Sequence, residues 1–541
     1  MRRKNTRILI FFNIVLILFG LGIGRMIWIQ IILGEKYKLA AENQRSINIR
    51  VRPDRGTIYD RNMYPLTNRE KQRTLFIFSN MINNSKIKNI VAEKVDMSES
   101  LLQKYINSSN KIIEIPLKDN VKIPKIKGVL VEDKVNRYSD DGILTNVIGY
   151  VNENGIKTGL EESYDNILSM NNDNGLIGFT LDGKSRIIPG DKTFLVNKNN
   201  GDIANSIQLT IDYDIQKIVE KVMEKEERRG AIIVTDASNG EILSMTTQPD
   251  INLNNVSDSN NSKFMDQYNK TIGVTYPPAS IFKIVVLLTA LEENLIELDE
   301  IYNCEGQVTI GDNTFGCHSQ HGDISIEEAF YRSCNSVFIQ LGENIGSDKI
   351  INMARRLGLG HKVDIGLNEE TKGFIPSGDD IKGPAIGNIS IGQGKIRVTP
   401  LQINNITMII ANDGIKKDLN IVKNIVSNNG KIVRPIIKEQ DKKVLNNIDT
   451  RIVKTFMEKV VEKGTAKKHI NLEEYGGAAG KTGTAEDSNN KKHGWFTGYF
   501  PKNNPKYVIT VLTEEIKEYE SGGNTSGKIF DTIVKEIIKI K

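Results

Sequence analysis

The chain has 541 residues, 39% hydrophobic and 26% charged, which gives room and apolar material for two or three packed domains. That excludes collagen-like, disordered and disulfide-framework chains. The net charge is only +5, and Arg2, Arg3, Lys4 and Arg7 supply four of the positives, so no nucleic-acid partner is expected.

Residues 8–24, ILIFFNIVLILFGLGIG, are almost wholly apolar, and the character resumes after Arg25 through Leu33. As a helix, residues 8–33 would span about 39 Å, enough to cross a bilayer core of about 30 Å with some tilt. Arg25 and Trp28 suit an interface, and the leading positives orient residues 1–7 as a cytoplasmic tail. A cleaved signal peptide is the competing reading. The apolar stretch is long for one, and no clean small-x-small site comes after it. The expectation is a single-pass anchor in a cell membrane, with the chain beyond residue 34 outside the cytoplasm.

Residues 34–205, rich in Asn, Lys and Asp with short apolar runs, suit an elongated α+β module. Patterning changes near residue 206. IQLTIDYDIQKIVEKVMEKEE reads as a strand and then a helix with Ile215, Ile218, Val219 and Val222 on its apolar face. GAIIVTD and GEILSMTT flank Ser238-Asn239-Gly240, which predicts a hairpin with a type I′ turn. A helix-rich stretch comes next. Then GKTGTAE, HGWFTGYF and KYVITVLTEE read as three strands, and GKIFDTIVKEIIKIK as a closing amphipathic helix. One sheet built from both ends of a 206–541 domain gives an α+β layout.

Tyr276-Pro277-Pro278-Ala279-Ser280-Ile281-Phe282-Lys283 leads into the apolar run IVVLLTALEENL, placing Ser280 in a first helical turn with Lys283 on its face. A serine needs a base to take its proton, and a buried lysine with a depressed pKa is such a base. Alone the pair is weak, because an N-cap plus a solvated lysine gives the same letters. Two further patterns change the weighing. Ser333-Cys334-Asn335 succeeds the predicted helix IEEAFYR, and Lys481-Thr482-Gly483-Thr484 lies on a strand led by Gly476, Gly477 and Gly480. Glycines there would let a ligand backbone approach, with Lys481 as a fixed cation for a carboxylate.

Ser-x-x-Lys, Ser-x-Asn and Lys-Thr-Gly in this order resemble the signature of penicillin-binding proteins and class A β-lactamases. The chain is similar to class B penicillin-binding proteins over nearly its whole length. Arg55-Gly56-Thr57-Ile58-Tyr59-Asp60-Arg61-Asn62 and Gly159-Leu160-Glu161 resemble the family's pedestal motifs. Leu209-Thr210-Ile211-Asp212 with Gln216 resembles the opening of its transpeptidase domain, and Thr399-Pro400-Leu401-Gln402, Gly464-Thr465-Ala466 and Trp495-Phe496 its later landmarks. Ala279 and Met63 stand where the family usually has glycine, which puts local loop geometry in question.

The resemblance implies a pedestal at 34–205 and a transpeptidase domain at 206–541, an antiparallel five-stranded sheet covered by helices as in serine β-lactamases. It implies Ser280 as nucleophile, Lys283 as base, Ser333 as proton relay, Asn335 as amide ligand, and Lys481 and Thr482 as carboxylate ligands. Gly483 lies between them and Thr484, whose N–H with that of Ser280 would form the oxyanion hole. The implied reaction is peptidoglycan D,D-transpeptidation between stem peptides, a D-Ala-D-Ala donor and an amine acceptor, inhibited by β-lactams and needing no cofactor. A SEDS-type membrane polymerase is the implied partner. A D,D-carboxypeptidase or β-lactamase using the same serine is the alternative, and a β-lactam sensor or inert scaffold a further one.

Cys304, Cys317, His318 and His321 fall close together, and Cys334 sits inside Ser-x-Asn. A Cys304–Cys317 disulfide or free thiols is one reading. A structural zinc held by Cys304, Cys317, His318 and His321, with Cys334 able to replace one histidine, is the other. His361, His469 and His493 read as isolated surface or loop residues.

Overall fold

The computed structural model describes residues 2–37, 46–51, 55–78, 95, 112–118, 121–124, 129–152, 155–169, 176–181, 187–195, 204–254, 267–427 and 429–540. Arg2–Ile27 is helical and continues into a π-helical turn at Trp28–Ile32. The stretch Arg7–Ile32 has mean hydropathy 2.3 and is exposed throughout, so it is long and apolar enough to cross a membrane.

The chain divides into two compact units. One comprises Met1–Asp54, Asn68–Arg137 and Asn171–Asn200, the other Arg55–Thr67, Tyr138–Met170 and Gly201–Lys541. Two early segments thus group with the later chain. In the first unit, Ser46–Arg50, Leu176–Leu181 and Ile187–Leu195 form one antiparallel sheet. A second sheet puts Glu70–Phe78 between Ile112–Pro116 and Val129–Asn136, over a small core of Leu75, Ile77, Ile113, Ile115 and Leu117. Residues 79–94 and 96–111 of the expected pedestal lie outside the described residues.

In the second unit, Arg55 explains why the early segments belong there. Its Nε donates to Glu161 Oε2 (2.6 Å), Nη1 to Asp165 Oδ1 (2.7 Å) and Nη2 to the Glu161 carbonyl (2.9 Å). The two expected pedestal motifs are thus joined directly, with the Glu161 side chain fully buried. A Cβ on Gly56 would sit 1.2 Å from the Asn205 carbonyl oxygen, so only glycine fits there. Ile58–Tyr59 then pairs in parallel with Ile207 and Gln208. Arg55→Ala leaves a carboxylate buried without its cation and is expected to cost about 3–5 kcal/mol, read as a lowered unfolding midpoint.

The catalytic-side elements come in this order. Helix α1 is Tyr213–Lys225, β1 Gly230–Asp236, β2 Ile242–Gln248, α2 Lys283–Glu292, α3 Asn335–Ile345 and α4 Pro400–Ala411. Helix α5 is Asn447–Glu462, β3 Ala479–Glu486, β4 Lys492–Phe500, β5 Tyr507–Thr513 and α6 Lys528–Ile540. The Asp212 side chain caps α1 by accepting from Ile215 N, and Ile215, Val219 and Val222 are buried as the pattern predicts.

The sheet runs β2-β1-β5-β4-β3, wholly antiparallel, so the expected five strands from both ends of the domain form one sheet. Helices pack on it: α4 against β1, β4 and β5, α1 against β2, and α6 against β5. Coverage by helices explains why β1 and β5 are buried along nearly every residue rather than alternating. Thr399 and Gln402 form a capping box over α4, all twelve residues of which are buried.

The β1–β2 turn departs from type I′. Gly240 has φ +77° and is the turn's positive-φ residue. Asn239 instead accepts Glu241 N through its side chain, and Asp236 accepts Ser238 N. These side-chain bonds stabilise a longer loop, closed by Gly240 N donating to the Asp236 carbonyl.

Candidate active site

Ser280 lies in a 3-10 turn, Ala279–Phe282, just before α2 rather than in its first α turn. Ala279 has φ +48° and Met63 φ +66°. Both positions where glycine was expected are therefore left-handed, and each side chain tolerates a strain of roughly 1–2 kcal/mol. The Ala279 N–H is fixed by the Gly392 carbonyl at 2.9 Å, which holds the turn before the serine.

Ser280 lines a cleft of about 470 Å³ together with Ser333, Asn335, Thr482, Gly483 and Thr484. The sequence-predicted serines, asparagine and threonines thus converge. Strand β3 is the sheet edge beside them. The lysines lie beneath rather than in the cleft wall, both fully buried. Lys283 Nζ donates to the Ser333 carbonyl (2.6 Å) and Asn335 Oδ1 (2.8 Å), and lies 3.4 Å from Ser333 Oγ. Lys481 Nζ donates to Ser333 Oγ (3.0 Å) and the Thr482 carbonyl (3.2 Å). Ser333, with φ +61°, is held in a left-handed conformation between them.

Burial pushes Lys283 down to about 7. Burial, then the neighbouring Lys283 charge, pushes Lys481 well below the usual lysine range. In the free protein burial and the second lysine therefore both weigh against the charged form of Lys481. A carboxylate entering beside it would favour the charged form.

The glycines of β3 serve packing first. A Cβ at Gly480 would come 2.3 Å from the Phe496 ring, and one at Gly483 would come 3.2 Å from the Pro278 carbonyl. Thr465, legible in sequence only as a family landmark, lines the cleft, and its hydroxyl meets that of Thr482 at 2.6 Å. Lys492, Glu520, Ser521 and Gly523 complete the lining. No short motif marks them: Lys492 opens β4, and the other three lie in the segment between β5 and α6. His493 is a correction: it is buried on β4, with Asp487 Oδ2 3.4 Å from its Nε2.

The helix-rich stretch contains two small hairpins, Ile301–Cys304 with Gly322–Ser325 and Gln307–Ile310 with Asn313–Gly316. They bring Cys304 and Cys317 to the N-terminus of α3, where Cys334 is the N-cap residue. Cys304, Cys317, His321 and Cys334 have ligand atoms all within 4.8 Å of one another. His318 is outside this set and lines the cleft instead, so Cys334 takes the place expected for it. All three cysteines are free thiols. Cys317 Sγ is 3.8 Å from Cys334 Sγ and 3.7 Å from His321 Nδ1, and Cys304 Sγ is 3.4 Å from that nitrogen.

Residues 230–538 match the family model described as "Penicillin binding protein transpeptidase domain". The chain is 27% identical to stage V sporulation protein D of Bacillus subtilis, over 99% of this chain and 85% of that one. It is 29% identical to the peptidoglycan D,D-transpeptidase FtsI of Buchnera aphidicola subsp. Schizaphis graminum, over 99% and 95%. Penicillin-binding protein PBP2 of Helicobacter pylori shares the fold, with a TM-score of 0.70, 24% identity and coverage of 91% of this chain and 99% of that one. A match over more than half of its length, ending on the helix that closes the catalytic unit, makes this chain a member of the penicillin-binding protein transpeptidase family.

Proposed function

We propose that the chain is a membrane-anchored peptidoglycan D,D-transpeptidase in which Ser280 is acylated by the donor stem. It acts in cell-wall synthesis and is blocked by β-lactams. The observation that carries this reading is that buried Lys283 and Lys481 both reach Ser333 beneath the cleft that Ser280 lines. As a neutral amine, Lys283 has two N–H groups, matching its two short donations to Ser333 and Asn335, and its lone pair is left over for a proton.

Ser280 Oγ adds to the penultimate D-Ala carbonyl carbon while its proton passes to Lys283. The N–H groups of Ser280 and Thr484 hold the oxyanion. The tetrahedral intermediate expels D-Ala as an amine, protonated through Ser333. An acceptor amine then attacks the ester, forming the crosslink and freeing Ser280. Asn335 holds the substrate amide, and Lys481 and Thr482 the terminal carboxylate. Fluorescent penicillin tests this reading on the full chain. A stable adduct and crosslinking of stem-bearing glycan are expected, whereas steady penicillin turnover without crosslinking would favour the β-lactamase alternative.

The basic tail, Arg2 to Arg7, supports a cytoplasmic N-terminus through the positive-inside rule. The catalytic unit then works outside the cytoplasm, with a SEDS-type polymerase as the partner that supplies glycan.

Acylation itself needs no cofactor. Cys304, Cys317, His321 and Cys334 would hold a structural zinc. Bonds of about 2.3 Å to sulfur and 2.0 Å to nitrogen in a tetrahedron imply S···S near 3.8 Å and S···N near 3.5 Å. Three separations, 3.8, 3.4 and 3.7 Å, lie close to these values, and all four ligand atoms fall within 4.8 Å of one another. The backbone N–H of Asn335 donates to Cys317 Sγ, as it would to a ligating thiolate. One zinc per chain is expected by metal analysis, retained in His318→Ala and lost in Cys334→Ser. Removing it lowers acylation, since Cys334 lies between Ser333 and Asn335. Zinc far below stoichiometric level contradicts the assignment.

A further inference from the structure

We propose that the buried chain Lys270–Glu514–Tyr276 clamps the loop carrying Ser280 onto the central sheet, with Tyr276 and Glu514 as positioning residues for acylation. The inference rests on the reading of Ser280 as the nucleophile.

Tyr276 precedes Ser280 by four residues. Its hydroxyl donates to Glu514 Oε1 at 2.6 Å, and Lys270 Nζ donates to Glu514 Oε2 at 2.6 Å and to the Gln248 carbonyl at 2.9 Å. Lys270 is 1% exposed. Glu514 directly succeeds β5, and its own N–H donates to the Arg229 carbonyl, beside the first residue of β1. The carboxylate is therefore anchored on the sheet, and both its oxygens are taken by donors from the loop that leads to Ser280. Burial, then the Glu514 charge, pushes the Tyr276 hydroxyl well above its usual range, so it remains a donor.

The other side of Tyr276 faces the strand next to β3. Its ring stands edge-on to Trp495 (6.1 Å between centroids, 85°) and to His493 (5.5 Å, 75°). Trp495 and His493 pair in register with Gly483 and Ala485 of β3. Trp495 Nε1 donates to the Pro277 carbonyl at 3.1 Å. The Tyr276 N–H and carbonyl both bond Val398, at 2.8 and 2.9 Å. The segment from Tyr276 to Ala279 is thus fixed from three directions. The distance between Ser280 and the Lys-Thr-Gly strand is set through Tyr276 and Trp495.

Stability alone does not account for this arrangement. A buried ion pair replaced by apolar residues of like volume is often neutral or stabilising. Two directed bonds to one carboxylate fix an angle that packed methylenes do not. None of Lys270, Tyr276 or Glu514 lines the cleft.

The test uses the full chain in detergent, with the acylation of fluorescent penicillin separated into non-covalent affinity and the acylation rate constant. Tyr276→Phe keeps the ring and removes the clamp's bond. It should lower the rate constant about tenfold, with affinity and melting temperature nearly unchanged. The double variant Lys270→Met, Glu514→Leu should melt within a few degrees of wild type and still acylate slowly. Wild-type rate constants in Tyr276→Phe, or in a folded double variant, overturn the proposal. Failure of the underlying function is distinct, because wild type itself would then not label.

Discussion

Ser280→Ala is expected to reduce covalent labelling by fluorescent penicillin at least ~10³-fold while leaving the fold intact. Elimination among the cleft hydroxyls leads to this serine. Ser333 Oγ accepts from Lys481, and the hydroxyls of Thr465 and Thr482 are bonded to each other. Thr484 Oγ1 accepts Gly522 N, and Ser521 Oγ meets Asn524. Among the described residues, Ser280 has the cleft hydroxyl that makes no hydrogen bond to protein. It is the one free to attack, and it lies one turn from a lysine held near neutrality. Because that hydroxyl supports no other group, its removal should change stability by no more than about 0.5 kcal/mol. Intact-mass analysis after incubation with penicillin reads the adduct, and a thermal melt reads the fold. An alanine variant that still gains the penicillin mass contradicts the assignment.

The parts of this molecule that could be read from sequence are those governed by local physics. The five strands of the sheet and the helices at Tyr213 and Lys528 announce themselves through apolar runs and a 3.6-residue period. Ser280, Lys283 and Lys481 stand in short motifs whose chemistry is carried by residue type. Long-range pairing leaves no such mark. Nothing near Arg55 says that Glu161 and Asp165, more than a hundred residues on, neutralise it, so the interleaving of the two units is invisible in the letters. The choice of Cys334 over His318 is hidden for the same reason. Two small hairpins decide which side chains meet, and spacing along the chain does not encode their register. The ionisation of Lys481 escapes a motif reading because burial depends on the packed unit. Burial, and then the neighbouring Lys283, lower the pKa of Lys481, and neither is visible in its motif.

The largest pH effect is expected at Lys283. Burial lowers its pKa to about 7, so the neutral amine that can accept the Ser280 proton is scarce below that pH and dominant above it. The acylation rate constant should rise about tenfold per pH unit below 7 and level off near pH 8. The sign is fixed: a base with a depressed pKa gains activity as pH rises through that value, and a group acting as an acid would lose it. Lys283→Arg separates charge from proton transfer. A guanidinium keeps its proton across this range and cannot serve as the base. The variant should acylate at least ~10²-fold more slowly at pH 7 and show no recovery up to pH 9. Lys283→Ala should be as slow and equally insensitive to pH. A normal pH profile in either variant would place the base elsewhere, with Lys481 the next candidate, since it is the other buried amine bonded to Ser333 Oγ. A profile lost in Lys283→Arg but kept in Lys481→Arg would assign the proton to Lys283 and leave Lys481 to the carboxylate.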